Sequence, residues 1–72
     1  MGKKRLLYSD NCGYCDIVKA QLKDEILRGE IELINIDRDS SARELATMFG
    51  GVPTLTEENN GILRELVIKT EG

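Results

Sequence analysis

The sequence contains no histidine and no tryptophan, and only two cysteines, one proline and one phenylalanine. Without histidine the chain lacks the commonest general base and metal ligand, which removes Ser-His and Cys-His nucleophile chemistry and ordinary zinc sites. Two cysteines are too few for the disulfide framework of a small secreted scaffold. Long apolar runs are also missing: the longest uncharged stretch, Leu45 to Thr56, is broken by Gly50, Gly51 and Pro53, so no membrane span is expected. Lys3, Lys4 and Arg5 are followed only by Leu6-Leu7-Tyr8, so no signal peptide is expected, and the expected compartment is the reducing cytoplasm. With 13 acids against 10 bases the net charge is −3; that offers no polycationic surface, and neither nucleic acid nor membrane is expected as a partner. What remains is 72 residues, 40% hydrophobic and 32% charged, which reads as one soluble globular domain over 1–72 with a thin core.

Lys4 to Tyr8 is a short apolar-aromatic run closed by the turn formers Ser9, Asp10 and Asn11, and reads as a strand. From Gly13 the period changes. Tyr14, Ile17, Val18, Leu22 and Ile26 recur at three- and four-residue steps, the mark of an amphipathic helix facing a core. Arg28-Gly29 signals its end, with a cation on the last carbonyls. Ile31, Leu33 and Ile36, with Ile34 on the opposite face, suit a second, largely buried strand. Ser41 and Glu44 have the spacing of a capping box, and Ala42, Leu45, Ala46 and Phe49 form the apolar stripe of a second helix stopped by Gly50-Gly51. Val52 to Thr56 reads as a third strand, and Asn59-Asn60-Gly61 as a hairpin turn. Ile62 to Ile68 fits a helix face or a strand; the hairpin signal and the β-branched residues favour the strand. The expected order is strand, helix, strand, helix, strand, strand, with each of the first two strands returning through a helix to a parallel neighbour.

Cys12-Gly13-Tyr14-Cys15 falls where the first strand hands over to the first helix. Positions three apart in a first turn share a face, so the two sulfurs can meet. Cys12 falls at the cap, where unpaired amides and the helix dipole favour the thiolate. Cys15, one turn in beside Val18 and Leu22, should be more buried. Thiol–disulfide exchange requires that asymmetry: an exposed thiolate attacks, and a shielded partner resolves. Two plainer readings stand beside it, half of a zinc site and a pair of idle core cysteines. The first lacks further ligands, and the second does not explain the strand-to-helix position. Asp10 and Asp16 flank the pair and read as solvated charges.

Leu7-Tyr8-Ser9 leading into Cys12-Gly13-Tyr14-Cys15 is similar to the strand and dithiol motif of glutaredoxins, and Gly51-Val52-Pro53-Thr54-Leu55 to the cis-proline segment of thioredoxins. The chain thus resembles a small glutaredoxin-like member of the thioredoxin superfamily. The resemblance implies a truncated thioredoxin-like α/β fold, a four-stranded mixed sheet with two helices and no C-terminal helix. It implies a cis Val52–Pro53 bond, with Val52 offering backbone groups to an incoming peptide or glutathione and Pro53 packed against the disulfide. Catalysis would rest on Cys12 and Cys15, and substrate binding on Gly13, Tyr14, Val52, Pro53 and Thr54. Tyr14 reads equally well as a substrate-facing ring and as a member of the helix's apolar stripe.

The activity expected is disulfide reduction by a redox-active dithiol, with no metal and no cofactor beyond glutathione as a candidate reductant. The expected partners are disulfide-containing proteins and a reductase or glutathione. Two other readings remain open: a glutathione-dependent glutaredoxin or iron–sulfur carrier, and a non-enzymatic redox-sensing module. With a single helix over one sheet face, Leu55, Ile62, Leu66 and Ile68 should form an exposed patch. The charges Glu57, Glu58, Arg64 and Glu65 around it favour a monomer.

Overall fold

Leu6 and Leu7 sit at the middle of the protein because successive strand residues point to opposite faces. A computed structural model describes residues 2–68, and in it the first strand, β1 (Lys3–Tyr8), is central in a four-stranded sheet of order β2-β1-β3-β4. The other elements are α1 (Gly13–Gln21), α2 (Lys23–Leu27), β2 (Ile31–Asn35), α3 (Ser40–Met48), β3 (Thr54–Asn59) and β4 (Ile62–Leu66). Leu6 joins Val18, Ile31 and Leu55 in a core beneath α1 and α2, while Leu7 joins Ala42 and Ala46 beneath α3. Each fully buried side chain of this size contributes about 1.5–3 kcal/mol. The result is a mixed α/β layout consistent with a truncated thioredoxin-like fold.

Three helices stand where two were expected. Leu22, at φ −97° and ψ 14°, separates α1 from α2. The bend is local: Leu22 N–H still donates to Val18 O and Ile26 N–H to Leu22 O, both at 3.0 Å. Leu22 and Ile26 therefore stay on the Leu6 side. The buried stripe is narrower than the sequence suggested, running through Cys15, Val18, Leu22 and Ile26. Tyr14 and Ile17 lie off it, 49% and 52% exposed.

β2 pairs with β1 in parallel, as expected of the first crossover, but β3 runs antiparallel to β1. Thr54 pairs with Leu7, so β3 begins beside the C-terminal end of β1. Having been returned to the end of the sheet it left, the chain has to run back. β2 is consequently an edge strand rather than a buried one, and Leu33 is 38% exposed. Ile36 packs with Ile34 against the Leu7 core, not with Ile31, as alternation along the chain demands.

The turn chemistry is as read at the hairpin: Asn60 and Gly61 both have positive φ, 55° and 81°, which suits the right-handed twist of the paired strands. β4 is a strand. Leu55, expected to be exposed, is buried, and Leu66 and Ile68 pack against the same core, so only Ile62 of that patch faces solvent. The capping box is absent. Asp39 caps α3 instead, its carboxylate accepting from Ala42 N–H at 3.1 Å, and Ser41 and Glu44 lie inside the helix. α2 ends with Glu30 N–H on Glu25 O and Gly29 N–H on Ile26 O, while the Arg28 side chain pairs with Glu25 and Glu30 rather than with the last carbonyls. α3 ends in the same motif, with Gly51 N–H on Ala46 O at 2.7 Å; Gly50 and Gly51, at φ 96° and 108°, supply a backbone that side chains disfavour. No helix among the described residues is long and apolar enough to cross a membrane. The expectation that no helix follows the hairpin extends to 69–72 and lies outside the described residues.

Candidate functional site

Cys12 is the N-cap of α1. Its backbone is extended (φ −129°, ψ 102°), and its Sγ accepts the Cys15 N–H at 3.0 Å. Serine, threonine, aspartate or asparagine oxygens usually satisfy this orphan amide, and here a sulfur takes the place. Cys12 and Cys15 are joined by a disulfide, with their Cα atoms 5.2 Å apart. Their surroundings differ: Cys12 is half-buried, whereas Cys15 is 0% exposed and sits in the core-facing stripe. Gly13 opens the helix and faces solvent, with nothing within 4 Å of where a Cβ would stand. It is the first residue of the helix, where the change of period placed it.

The second segment follows from the end of α3. The Gly50-Gly51 stop turns the chain into Val52-Pro53, whose peptide bond is cis. Thr54 Oγ1 donates to Gly51 O, and the buried Thr54 thereby closes the loop on itself. Val52 packs toward the Leu7 core. Pro53 and Tyr14 line one cavity of about 320 Å³ with Glu65, Leu66, Val67 and Ile68. Of the residues proposed from sequence, the fold therefore bonds Cys12 to Cys15 and brings Tyr14 and Pro53 together across an open cavity. The side chains of Val52 and Thr54 turn inward. Tyr14 lies at the rim of the cavity and not in the core.

Sequence reading missed the ties around the dithiol loop. Asp10 N–H donates to Asp37 Oδ2 (3.0 Å), Asp37 N–H donates to Asn35 Oδ1 (2.9 Å), and Asn35 Nδ2–H donates to Asp10 Oδ1 (3.1 Å). Ile36 N–H, donating to Tyr8 O at 2.8 Å, extends the attachment to the end of β1. Asp10, taken from sequence as a solvated charge, is thus exposed but bonded. Asp16 pairs with Lys19 at 3.8 Å, and Lys19 Nζ lies 4.2 Å from the centroid of the Tyr8 ring. A hint was present in Asn35 and Asp37, polar residues directly after an apolar strand, but nothing in the pattern pairs them with Asp10.

No protein-family model matches the chain, and no curated protein matches it either. The geometry stands by itself: a disulfide at CxxC spacing, at the start of a helix in a small α/β protein, which is compatible with redox function.

Proposed function

We propose that the protein is a thiol–disulfide oxidoreductase acting on protein disulfides. One observation carries the reading: the two sulfurs share one helix turn but not one environment, Cys12 being half-buried at the cap and Cys15 fully buried. In the reduced protein the Cys12 thiolate faces the Cys15 amide and the N-terminal end of the helix dipole, both of which favour the anion. It attacks one sulfur of a substrate disulfide, forming the Cys12–substrate bond and releasing the other substrate sulfur as a thiolate. Cys15 loses its proton and attacks Cys12 Sγ, which forms the Cys12–Cys15 disulfide and releases the second substrate sulfur. Two electrons pass from the protein to the substrate, and two protons balance the two thiols formed. A thiol reductant, either a dithiol protein or glutathione, restores the starting state by the reverse exchange.

The exposed apolar surface at Tyr14 and Ile17 and the cavity between Tyr14 and Pro53 support a substrate chain lying beside Cys12. The test is insulin disulfide reduction with dithiothreitol as the electron source. The wild-type protein should accelerate precipitation of the freed insulin chains, and Cys12→Ser should not. A wild-type rate equal to that of dithiothreitol alone would refute the proposal.

A further inference from the structure

We infer that Asn35 is a positioning residue for Cys12, acting through a closed ring of three hydrogen bonds. The inference deepens the exchange reading by naming what sets the geometry of its nucleophile. Asp10 N–H to Asp37, Asp37 N–H to Asn35, and Asn35 Nδ2–H to Asp10 form a circuit in which each residue donates once and accepts once. The circuit ties the turn before Cys12 to the end of β2, beyond the β1–β2 pairing and the Ile36 N–H bond to Tyr8 O. Asn35 ends β2, which is held in register with β1 through Tyr8 and Asn35, and Asp37 lies two residues beyond it. Asp10 lies two residues before Cys12 in the turn that leads into α1. Both ends of that turn are thereby fixed: β1 and the circuit hold one, and the Cys12 Sγ bond to Cys15 N–H holds the other. A cap bond of this kind exists only when the residue stays extended with its side chain folded over the first helical turn. Tethering the preceding turn holds Cys12 in that conformation, and the Cys15 amide then meets the thiolate once the disulfide is opened.

Burial alone holds the turn weakly: Asp10 and Asn11 are exposed and Ser9 is half-buried. Asn35 supplies both a donor and an acceptor to the circuit, so its loss breaks two of the three bonds at once without changing charge.

The experiment uses the reduced full-length protein at neutral pH and reads the rate of iodoacetamide labelling at Cys12 by peptide mapping. Asn35→Ala should lower that rate about three- to tenfold, the size of one hydrogen bond's ordinary net contribution lost from the thiolate. The double exchange Asp10→Asn with Asn35→Asp keeps the charge of the pair and reverses donor and acceptor in one link, so it should label within about twofold of wild type. A merely structural loosening would expose the sulfur and raise labelling. An unchanged or faster rate in Asn35→Ala overturns the inference, and so does a double exchange as slow as Asn35→Ala. Alkylation needs no substrate disulfide, so the two readings separate. Normal labelling effects with no insulin reduction by any variant sink the exchange function alone; wild-type labelling in Asn35→Ala with active wild-type reductase sinks the positioning role alone.

Discussion

Cys12 carries two duties at one atom, and two substitutions pull them apart. Its Sγ caps α1 by accepting the Cys15 N–H at 3.0 Å, and the same atom is the proposed nucleophile. Cys12→Ser keeps an acceptor at the cap and removes the thiol; Cys12→Ala removes both. Compared under dithiothreitol, where no disulfide contributes, the two variants should differ by the cap alone, about 1 kcal/mol within a range of about 0.5–2. In a chain of 72 residues total stability is of order 4–11 kcal/mol. A difference of 1 kcal/mol moves the melting temperature by about 4–8 °C in a domain of this size. Far-UV circular dichroism melts should therefore place Cys12→Ala about 4–8 °C below Cys12→Ser, with the reduced wild type between the two, since sulfur is only a weak acceptor as a neutral thiol. Insulin reduction should fall to the dithiothreitol background in both. Coincident melts would show that a side-chain acceptor at position 12 contributes nothing as a cap, and the case for a Cys15 amide that favours the thiolate would fall with it. Retained activity in Cys12→Ser would remove Cys12 as the nucleophile.

The other expectations follow from burial and capping. Limiting iodoacetamide on the reduced protein should label Cys12 well before the buried Cys15, and Cys15→Ser should accumulate a mixed disulfide through Cys12, seen by mass spectrometry; equal labelling or Cys15 first would reverse the roles. Asp39→Ala should cost α3 about 1 kcal/mol while Ser41→Ala stays within about 0.5 kcal/mol, and a larger loss at Ser41 in urea titrations would restore the capping box that the geometry replaces. Leu6→Ala, at a fully buried position between three other core side chains, should cost about 2.7–5 kcal/mol, a large share of the chain's stability; a urea midpoint near wild type would mean that the core collapses around the lost volume.

Local signals in the sequence were sound wherever one residue's chemistry decides a local outcome. Asn60-Gly61 demanded positive φ and formed the hairpin. Gly50-Gly51 stopped α3, and the dithiol fell at a strand-to-helix junction with one cysteine fully buried and one half-buried. Readings that needed a neighbour's identity went astray. Leu33 looks like part of a buried strand face until β2 is known to be an edge. Tyr14 and Ile17 fit a helical stripe but fall outside the narrow band that one sheet layer can cover. Asp39 and Ser41 are both acceptable caps, and the choice between them depends on where the turn after β2 delivers the chain.

The Asp10 circuit belongs to the second kind, and it shows why a site is harder to read than the motif that marks it. The CxxC spacing places two sulfurs on one turn of helix by local geometry alone. Holding the first sulfur over the Cys15 amide is a long-range matter, because Asp10 and Asn11 in the turn before Cys12 are exposed and draw their rigidity from the sheet. β1 and β2 run parallel in register, Tyr8 opposite Asn35, so the chain leaving each strand emerges at the same end of the sheet. Polar residues just beyond those two strand ends are therefore brought side by side by the crossover, although 25 positions separate Asp10 from Asn35. A parallel pair thus does more than bury Leu6 and Leu7: it supplies the second anchor for the turn that leads into Cys12, the proposed nucleophile. A substitution that shifted the β1–β2 register by one pair would move Asn35 away from Asp10 and release the Cys12 turn, with both cysteines unchanged in sequence.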